Sequence, residues 1–474
     1  MNWPSGLPVG EGWAPVRDTT EIVFPYDGSV VAAAPLGTPE LAARAVEEAL
    51  AVAPVMARVP SHARRTALTG AHDALVARRA EFERLLVLET GKPLVDCRVE
   101  VARTIVTLAT AAEEVARLHG ETVPLDLLPS GEGLTGFWTR RPIGVVVGIT
   151  GFNYPLLLAA HKIAPAVAAG CPVIVKPAPA TPLATLWLVH LLRETGALPP
   201  AAVQLVTGDV EVGRTLVEDR RIGAVSFTGS ASAGHAIARN AAPTKVVLEL
   251  GSNAALVVAA DADLAAAADA VVRGGYYASG QACISVQRVL VEKAVEEQFL
   301  PLLAARMKSV VTGDPREPET RVAPLVDERS TARVLEWVAA AVDAGARVVT
   351  GGRREGREIV PTLLAGVPDG VAAWEEEIFG PVVCVRAVAD LDAAFATVNR
   401  SRYGLHASVF TTSLATAFAA IDRIEAGGVV VNEVPGFRAD NMPYGGVKDS
   451  GIGREGPRFA IEEFTVTRMA IIRP

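Results

Sequence analysis

The run Gly280-Gln281-Ala282-Cys283-Ile284-Ser285 sets a cysteine among small residues, with Gly274, Gly275 and Ser279 just before it. A thiol that attacks a carbonyl needs substrate and a backbone N–H donor close to one sulfur, and glycine permits that approach. Free cysteines are also among the most buried residues and often act as small hydrophobes, so this run alone leaves nucleophile and inert core thiol as equal alternatives. Glu249 ends the apolar segment Lys245-Val246-Val247-Leu248, ahead of Leu250-Gly251-Ser252. Desolvation there raises a carboxyl toward the range of a general base, while a salt-bridged or capping glutamate is the commoner role. Asn153, in Gly151-Phe152-Asn153-Tyr154-Pro155, is either an oxyanion donor or a turn residue. The segment from Ser226 to Gly234 carries Gly229 and Gly234 five apart where a strand gives way to a helix. Free N–H groups and the helix dipole favour phosphate there, although the run is not G-x-G-x-x-G and a plain turn accounts for it as well. Lys176 follows Val173-Ile174-Val175 and precedes Pro177, which puts a cation at the carboxyl edge of the same sheet, where open α/β sheets bind ligands.

These residues need a scaffold, and the chain between Ile143 and Leu248 supplies one. Short continuous apolar runs at Val145–Ile149, Val173–Val175, Val203–Val206, Ala224–Phe227 and Val246–Leu248 alternate with helical stretches. Uninterrupted runs of this kind suit a parallel sheet covered on both faces, so this part reads as a Rossmann-like α/β unit. A second α/β set is expected from near Asp261, with strands at Arg288–Val291, Ala346–Val349, Val382–Val385, Ala407–Phe410 and Gly428–Val431. Ahead of both lie strand and turn material around Glu21-Ile22-Val23-Phe24 and three helical stretches. The first opens on the N-cap Thr38 with Pro39 and Glu40; the others cover Ser61 to Leu88 and Val95 to Leu118, separated by Gly91-Lys92-Pro93. The alternating piece Leu134 to Arg141 reads as an extended excursion. Thr465 to Ile472 is an apolar terminal strand that a monomer would leave as an exposed edge, which predicts a homodimer or homotetramer. The expected division is a cofactor domain over 1–120 and 142–250, a catalytic α/β domain over 251–445, and a small β oligomerisation extension from 121–141 and 460–474.

A chain of 474 residues exceeds what one hydrophobic core normally supports. Its formal charge of -8 is dispersed, with no basic block to follow a phosphate backbone, which argues against nucleic acid and for a small-molecule partner. Cys97, Cys171, Cys283 and Cys384 show no paired spacing of the metal or disulfide kind, so no metal is expected. Met1-Asn2-Trp3-Pro4 lacks a basic segment and apolar run, which points to a reducing cytoplasm. The most apolar stretch, Pro155 to Val175, contains His161, Lys162 and two internal prolines and does not read as a membrane span.

Taken in order, Gly151-Phe152-Asn153-Tyr154-Pro155, Lys176-Pro177, Phe227-Thr228-Gly229-Ser230, Glu249-Leu250-Gly251, Gly280-Gln281-Ala282-Cys283, Glu377-Ile378-Phe379-Gly380-Pro381 and Pro443-Tyr444-Gly445-Gly446-Val447-Lys448 resemble the aldehyde dehydrogenase superfamily over nearly the whole chain. The resemblance implies that Cys283 attacks the aldehyde carbon, that Asn153 and the Cys283 N–H hold the oxyanion, and that Glu249 activates the water that hydrolyses the thioester. It implies NAD or NADP as cofactor, held by Ile149, Thr150, Gly151, Phe152, Lys176, Pro179, Gly229, Ser230, Ala233, Leu250, Glu377 and Phe379. Many NAD-preferring members carry a glutamate where this chain has Pro179; without that repulsive carboxylate both cofactors stay open. Ser252 stands where a second glycine is usual. Glu249 separates the chain from the acylating branch, which lacks that base. The segments Phe437 to Pro443 and Cys283 to Arg288 resemble the subgroup acting on lactaldehyde, glyceraldehyde and phosphonoacetaldehyde. Arg438, with Arg103, would then meet a hydroxylated or anionic tail, unless Arg438 is a structural partner of Asp440 or another acid; Arg288, which opens a strand, reads as structural. A thioester hydrolase without redox change and a silent binding protein on the same fold are the rival classes. The first would leave the cofactor residues idle, and the second has no need for Cys283, Glu249 and Asn153 together.

Overall fold

The computed structural model describes residues 4–474, so Met1, Asn2 and Trp3 of the amino-terminal run lie outside the described residues. Five parallel strands, β1 (Val146–Ile149), β2 (Val173–Lys176), β3 (Val203–Leu205), β4 (Ala224–Thr228) and β5 (Lys245–Glu249), form the expected sheet. Their order is β5, β4, β1, β2, β3, with the short strand Gly451–Ile452 added antiparallel beyond β5. The chain runs outward from β1 to β3, crosses back, and leaves by β4 and β5 on the other side. Loops at the carboxyl ends of β1 and β4 therefore diverge in opposite directions and open a crevice, the place where such sheets bind ligands. Both faces are covered by helices, and the apolar runs disappear into one core that also takes in the amino-terminal helices.

The second sheet has seven strands in the order Arg347–Thr350, Thr362–Ala365, Val382–Val388, Arg288–Glu292, Ala255–Val258, His406–Phe410 and Gly428–Val431, parallel except for the first pair. Two of these strands lie outside the sequence reading. Ala255–Val258, in the middle of the sheet, begins before Asp261, and its alanine flanks hide it from a pattern based on branched residues. Thr362–Ala365 is short and rich in leucine. The helical stretch Ser61 to Leu88 is two helices, Ser61–Ala77 and Arg79–Thr90, broken at Arg78 where φ is −111° and ψ 17°. No glycine or proline marks that break. The stretch Val95 to Leu118 is the helix Leu94–Glu114 followed by a 3₁₀ turn.

The extended excursion is the strand Thr135–Pro142, and the terminal strand Thr465–Ile472 pairs along its whole length, Thr465 opposite Pro142 and Ile472 opposite Thr135. Glu121–Val123 covers the other side of Thr135–Pro142, leaving Thr465–Ile472 with an open edge that exposes Val466, Met469, Ile471 and Ile472. Among the described residues no helix is long and apolar enough to cross a membrane.

Candidate active site

Cys283 sits in a loop that follows the helix Leu264–Tyr276. Ala278, Ser279 and Gly280 all take left-handed backbone there, with φ of 49°, 57° and 74°. A β-carbon on Gly280 would lie 2.1 Å from the Gly380 carbonyl oxygen, so this turn accepts only glycine. Non-glycine residues resist such dihedrals, and partners hold these two in place. The buried Asp96 carboxylate accepts from the Ala278 N–H at 2.9 Å, the Ser279 hydroxyl bridges the Ala323 backbone, and Gln281 accepts from the Val326 N–H at 3.1 Å. Burial pushes the Asp96 carboxyl up to about 6 despite that bond and the charge of Lys92. Cys283 is half-buried, whereas Cys97, Cys171 and Cys384 are fully buried in the core. Its Sγ lies 3.1 Å from the Tyr444 hydroxyl, and its backbone N–H has no acceptor among the described residues. Burial pushes the thiol up to about 12, with Tyr444 pulling the other way and Glu377 and Glu249 adding to the rise.

Asn153 lies between β1 and the helix Pro155–Ala169, whose first position is the preset proline. Its side-chain amide donates to the Gln281 carbonyl at 2.8 Å, one peptide away from the cysteine loop. Beneath it is an arrangement the sequence reading left out. Lys92, taken only as part of a separator, is buried and donates to the Asn153 carbonyl at 2.8 Å and to Glu100. Glu100 accepts in turn from the Leu156 and Leu157 N–H groups, satisfying the free amides of that helix end. An i, i+8 pair spanning a loop has no periodic signature, so only the fold reveals it.

Glu249 is buried at the end of β5, and neither carboxylate oxygen has a hydrogen-bond partner. Burial raises it well above the usual carboxylate range, and the neighbouring Glu455 adds to the rise. Glu455 behaves in the opposite way. Burial alone would raise it, but Lys162 at 3.0 Å, His161 at 3.3 Å and Arg438 at 3.2 Å hold it well below its ordinary value. Of these two neighbouring carboxyls, then, Glu455 keeps the charge and Glu249 keeps the proton. The paired or capping role suggested for Glu249 belongs to Glu455.

Cys283, Asn153 and Glu249 line one cavity of about 280 Å³, together with Arg103, Arg438, Tyr444, Glu377 and Phe379. Gly151, Phe152, Gly229, Ser230 and Leu250 line the same space. Phe379 has a φ of 52°, and its ring meets Phe152 edge-on at 5.7 Å. Glu377 accepts from the Ser252 N–H at 3.0 Å, so the serine in place of a glycine contributes through its backbone; burial raises the Glu377 carboxyl to about 7. A second cavity, beyond the ends of β1 and β2, is lined by Ile149, Lys176, Pro179 and Ala233, and also by Asp209, Glu211 and Arg214, which sequence reasoning missed. Asp209 caps the helix Val210–Glu218 directly after β3, a strand-to-cap signal that could have placed it on this sheet edge. Burial lowers the Lys176 ammonium to about 8, with Asp209 opposing. Thr150, assigned with these residues, lines neither cavity; it is buried, and its hydroxyl lacks a partner.

Arg103 and Arg438 reach the first cavity from different partners. Arg103 grips Asp440 with two bonds, at 2.8 and 3.1 Å, so Asp440 pairs with Arg103 and not with Arg438. Arg438 stacks 3.7 Å from the Tyr444 ring centroid and pairs with Glu455; its side chain is 7% exposed, and its Nε has no partner. Arg288 is buried and donates to the Asn253 carbonyl at 2.8 Å, a structural role.

A crevice at the sheet's crossover thus holds a reachable thiol, a free N–H, a side-chain amide and a proton-holding carboxyl. The aldehyde dehydrogenase family model matches residues 13–470. A 3-sulfolactaldehyde dehydrogenase of Priestia aryabhattai is 39% identical over 468 residues, 98% of each chain. A lactaldehyde dehydrogenase of Methanococcus aeolicus is 34% identical, over 96% of this chain and 97% of that one. Among solved structures, aldehyde dehydrogenase 21 from Physcomitrella patens, in complex with the reaction product succinate, aligns with a TM-score of 0.95 at 36% identity, over 100% of this chain and 99% of that one. The NADP-dependent glyceraldehyde-3-phosphate dehydrogenase from Bacillus halodurans, complexed with NADP, aligns at 0.96 and 32%, over 99% of both. Sequence, sheet order and site geometry agree: the chain belongs to the aldehyde dehydrogenase family.

Proposed function

We propose that this protein oxidises a small aldehyde to its carboxylic acid, with NAD or NADP as electron acceptor, by binding the substrate covalently to Cys283 and releasing it with water activated by Glu249. The observation that carries this reading is the single cavity shared by a half-buried thiol and a buried carboxyl with no hydrogen-bond partner. In this reading the Cys283 thiolate attacks the carbonyl carbon. The Cys283 N–H and the second N–H of the Asn153 amide, whose first is given to the Gln281 carbonyl, donate to the developing oxyanion. A nicotinamide held in the crevice would supply the two-electron acceptor needed for the Cys283 adduct to become a thioester. Glu249 takes a proton from water, the resulting hydroxide adds to the thioester carbon, and the Cys283 sulfur departs as thiolate. Glu249 gives the thioester a hydrolytic route, so the reaction needs no acyl acceptor other than water.

The residues along the crevice fit a dinucleotide. A β-carbon on Gly229 would lie 2.5 Å from the Phe227 ring, so the backbone there stays bare for close approach, as a pyrophosphate over Gly229-Ser230 requires. Lys176 would hold adenosine ribose hydroxyls, with Ile149, Pro179 and Ala233 around it. Glu377 would hold the other ribose, with Phe379 beside it and Gly151, Phe152 and Leu250 nearby. Pro179 brings no carboxylate to the adenosine ribose, while Asp209 and Glu211 line the same cavity as Lys176 and Arg214, a mixed environment that suits either cofactor.

The substrate class follows from Arg438. A guanidinium lining the cavity favours an aldehyde with an anionic or hydroxylated tail, and Arg103 stands in the same wall. The 3-sulfolactaldehyde relative fits this choice. Arg438→Ala should lower the ratio of kcat/KM for phosphonoacetaldehyde or 3-sulfolactaldehyde over propanal by about 10–100-fold, the weight of a charged hydrogen bond. A ratio equal to wild type would return Arg438 to a purely structural role.

The open edge of Thr465–Ile472 supports a homodimer or homotetramer joined through that strand. Ile471 is 61% exposed, and Ile471→Asp should shift the protein to a smaller mass in light scattering. An unchanged mass would place the interface elsewhere.

A further inference from the structure

Tyr444 is the one side chain in direct polar contact with the Cys283 sulfur among the described residues, and no step above uses it. It is 2% exposed, and its ring is clamped. The Arg438 guanidinium covers one side at 3.7 Å, the His406 ring meets it edge-on at 5.1 Å, and the Tyr444 backbone exchanges two hydrogen bonds with Glu455, at 3.1 and 2.7 Å. His406 is itself tied to the Pro435 carbonyl at 2.9 Å. The hydroxyl therefore cannot swing away without moving a buried, charged neighbour.

The direction of the bond follows from the chemistry. A neutral thiol and a phenol can each donate, but a thiolate only accepts, so once Cys283 ionises the proton in this contact belongs to Tyr444. The other titratable groups around the sulfur are Glu377 and Glu249, which oppose a thiolate, the Tyr277 phenol, and Arg438, which favours it from behind the Tyr444 ring. A cation on the ring face also draws density from the phenol oxygen, which strengthens it as a donor.

We propose that Tyr444 is a further catalytic residue of this enzyme: its hydroxyl donates to the Cys283 thiolate, stabilising the nucleophile and fixing where its sulfur waits for the aldehyde. The inference rests on Cys283 being the nucleophile. It also gives Arg438 a second effect, since the cation that would meet the substrate's tail supports the phenol as well.

The test reads the thiol without requiring turnover. The rate of Cys283 alkylation by iodoacetamide is followed against pH in wild type and Tyr444→Phe, with the labelled position confirmed by mass spectrometry. The phenyl ring preserves the packing against Arg438 and His406, so a thermal melt like wild type is expected. Loss of one charge-assisted bond should raise the midpoint of the alkylation profile by about one pH unit and slow alkylation about tenfold below it, with kcat/KM falling in parallel. An alkylation profile that matches wild type, or a faster reaction in Tyr444→Phe, overturns the proposal. Aldehyde turnover in Cys283→Ala is measured beside it: if that variant turns over, the nucleophile assignment has failed, whereas an inactive Cys283→Ala with an unshifted Tyr444→Phe profile overturns the role of Tyr444 alone.

Discussion

Cys283→Ala should lose at least about 10⁴-fold in aldehyde-dependent nucleotide reduction while the protein still folds and still binds NAD or NADP. The size follows from the assigned role: without the sulfur no covalent adduct forms, and neither the oxyanion donors nor Glu249 can replace the bond it makes. The fold should hardly respond. Cys283 is half-buried and packs mainly with Ile284, Leu405, Met442 and Tyr444, so its Sγ can be removed for about 1 kcal/mol or less. Turnover with a panel of lactaldehyde, glyceraldehyde, phosphonoacetaldehyde, succinic semialdehyde and aliphatic aldehydes, read against a melting curve and a cofactor fluorescence titration, separates the two effects. Activity equal to wild type in the variant would remove Cys283 from the mechanism.

Glu249→Gln should fail later in the cycle. The amide keeps the shape of the protonated carboxyl but cannot take a proton from water, so steady-state turnover should fall by about 10²–10⁴-fold. The first turnover should survive, because the step proposed for Glu249 falls after the thioester has formed. Rapid mixing should show a burst of reduced nucleotide close to one per active site, followed by a slow phase. Loss of the burst together with turnover would move Glu249 to the acylation step. The pH dependence has a definite sign: Glu249 is raised well above the ordinary carboxylate range by burial and by Glu455, and only its ionised form is a base. Wild-type turnover should therefore climb with pH through and beyond neutrality, and Glu249→Gln should lose that limb of the profile. The Cys283 thiol, also raised by burial, pushes the acylation step in the same direction.

What could be read from the chain depended on whether a feature is local. The five apolar runs of the first sheet are buried strands because each is short and continuous and the first four are each followed by a helix, and the terminal strand Thr465–Ile472 announced itself by its apolar edge. That Cys283 and Asn153 share one cavity could be suspected because each sits in a short motif, and Gly280 fills a turn that accepts nothing else. Ala255–Val258 was missed because its flanking alanines favour helix and obscure a strand, and the Arg78 break because nothing punctuates it. Lys92 with Glu100, and Glu455 with Lys162 and His161, were invisible for another reason: their value lies in partners brought together by the fold, 61 residues apart for Lys92 and Asn153 and 293 for Lys162 and Glu455. Asp440 went to Arg103 because tertiary packing, and not proximity along the chain, chose its partner.

The strand Gly451–Ile452 completes the sheet beside Glu249, and Tyr444 and Glu455 arrive on the same segment of chain. Without that segment Glu249 would end an edge strand paired only with β4, its charged neighbour would be missing, and the thiol would have no phenol at its side. One short segment thus brings both the phenol at the Cys283 sulfur and the charged neighbour of Glu249, so a chain cut before Tyr444 would lose both at once.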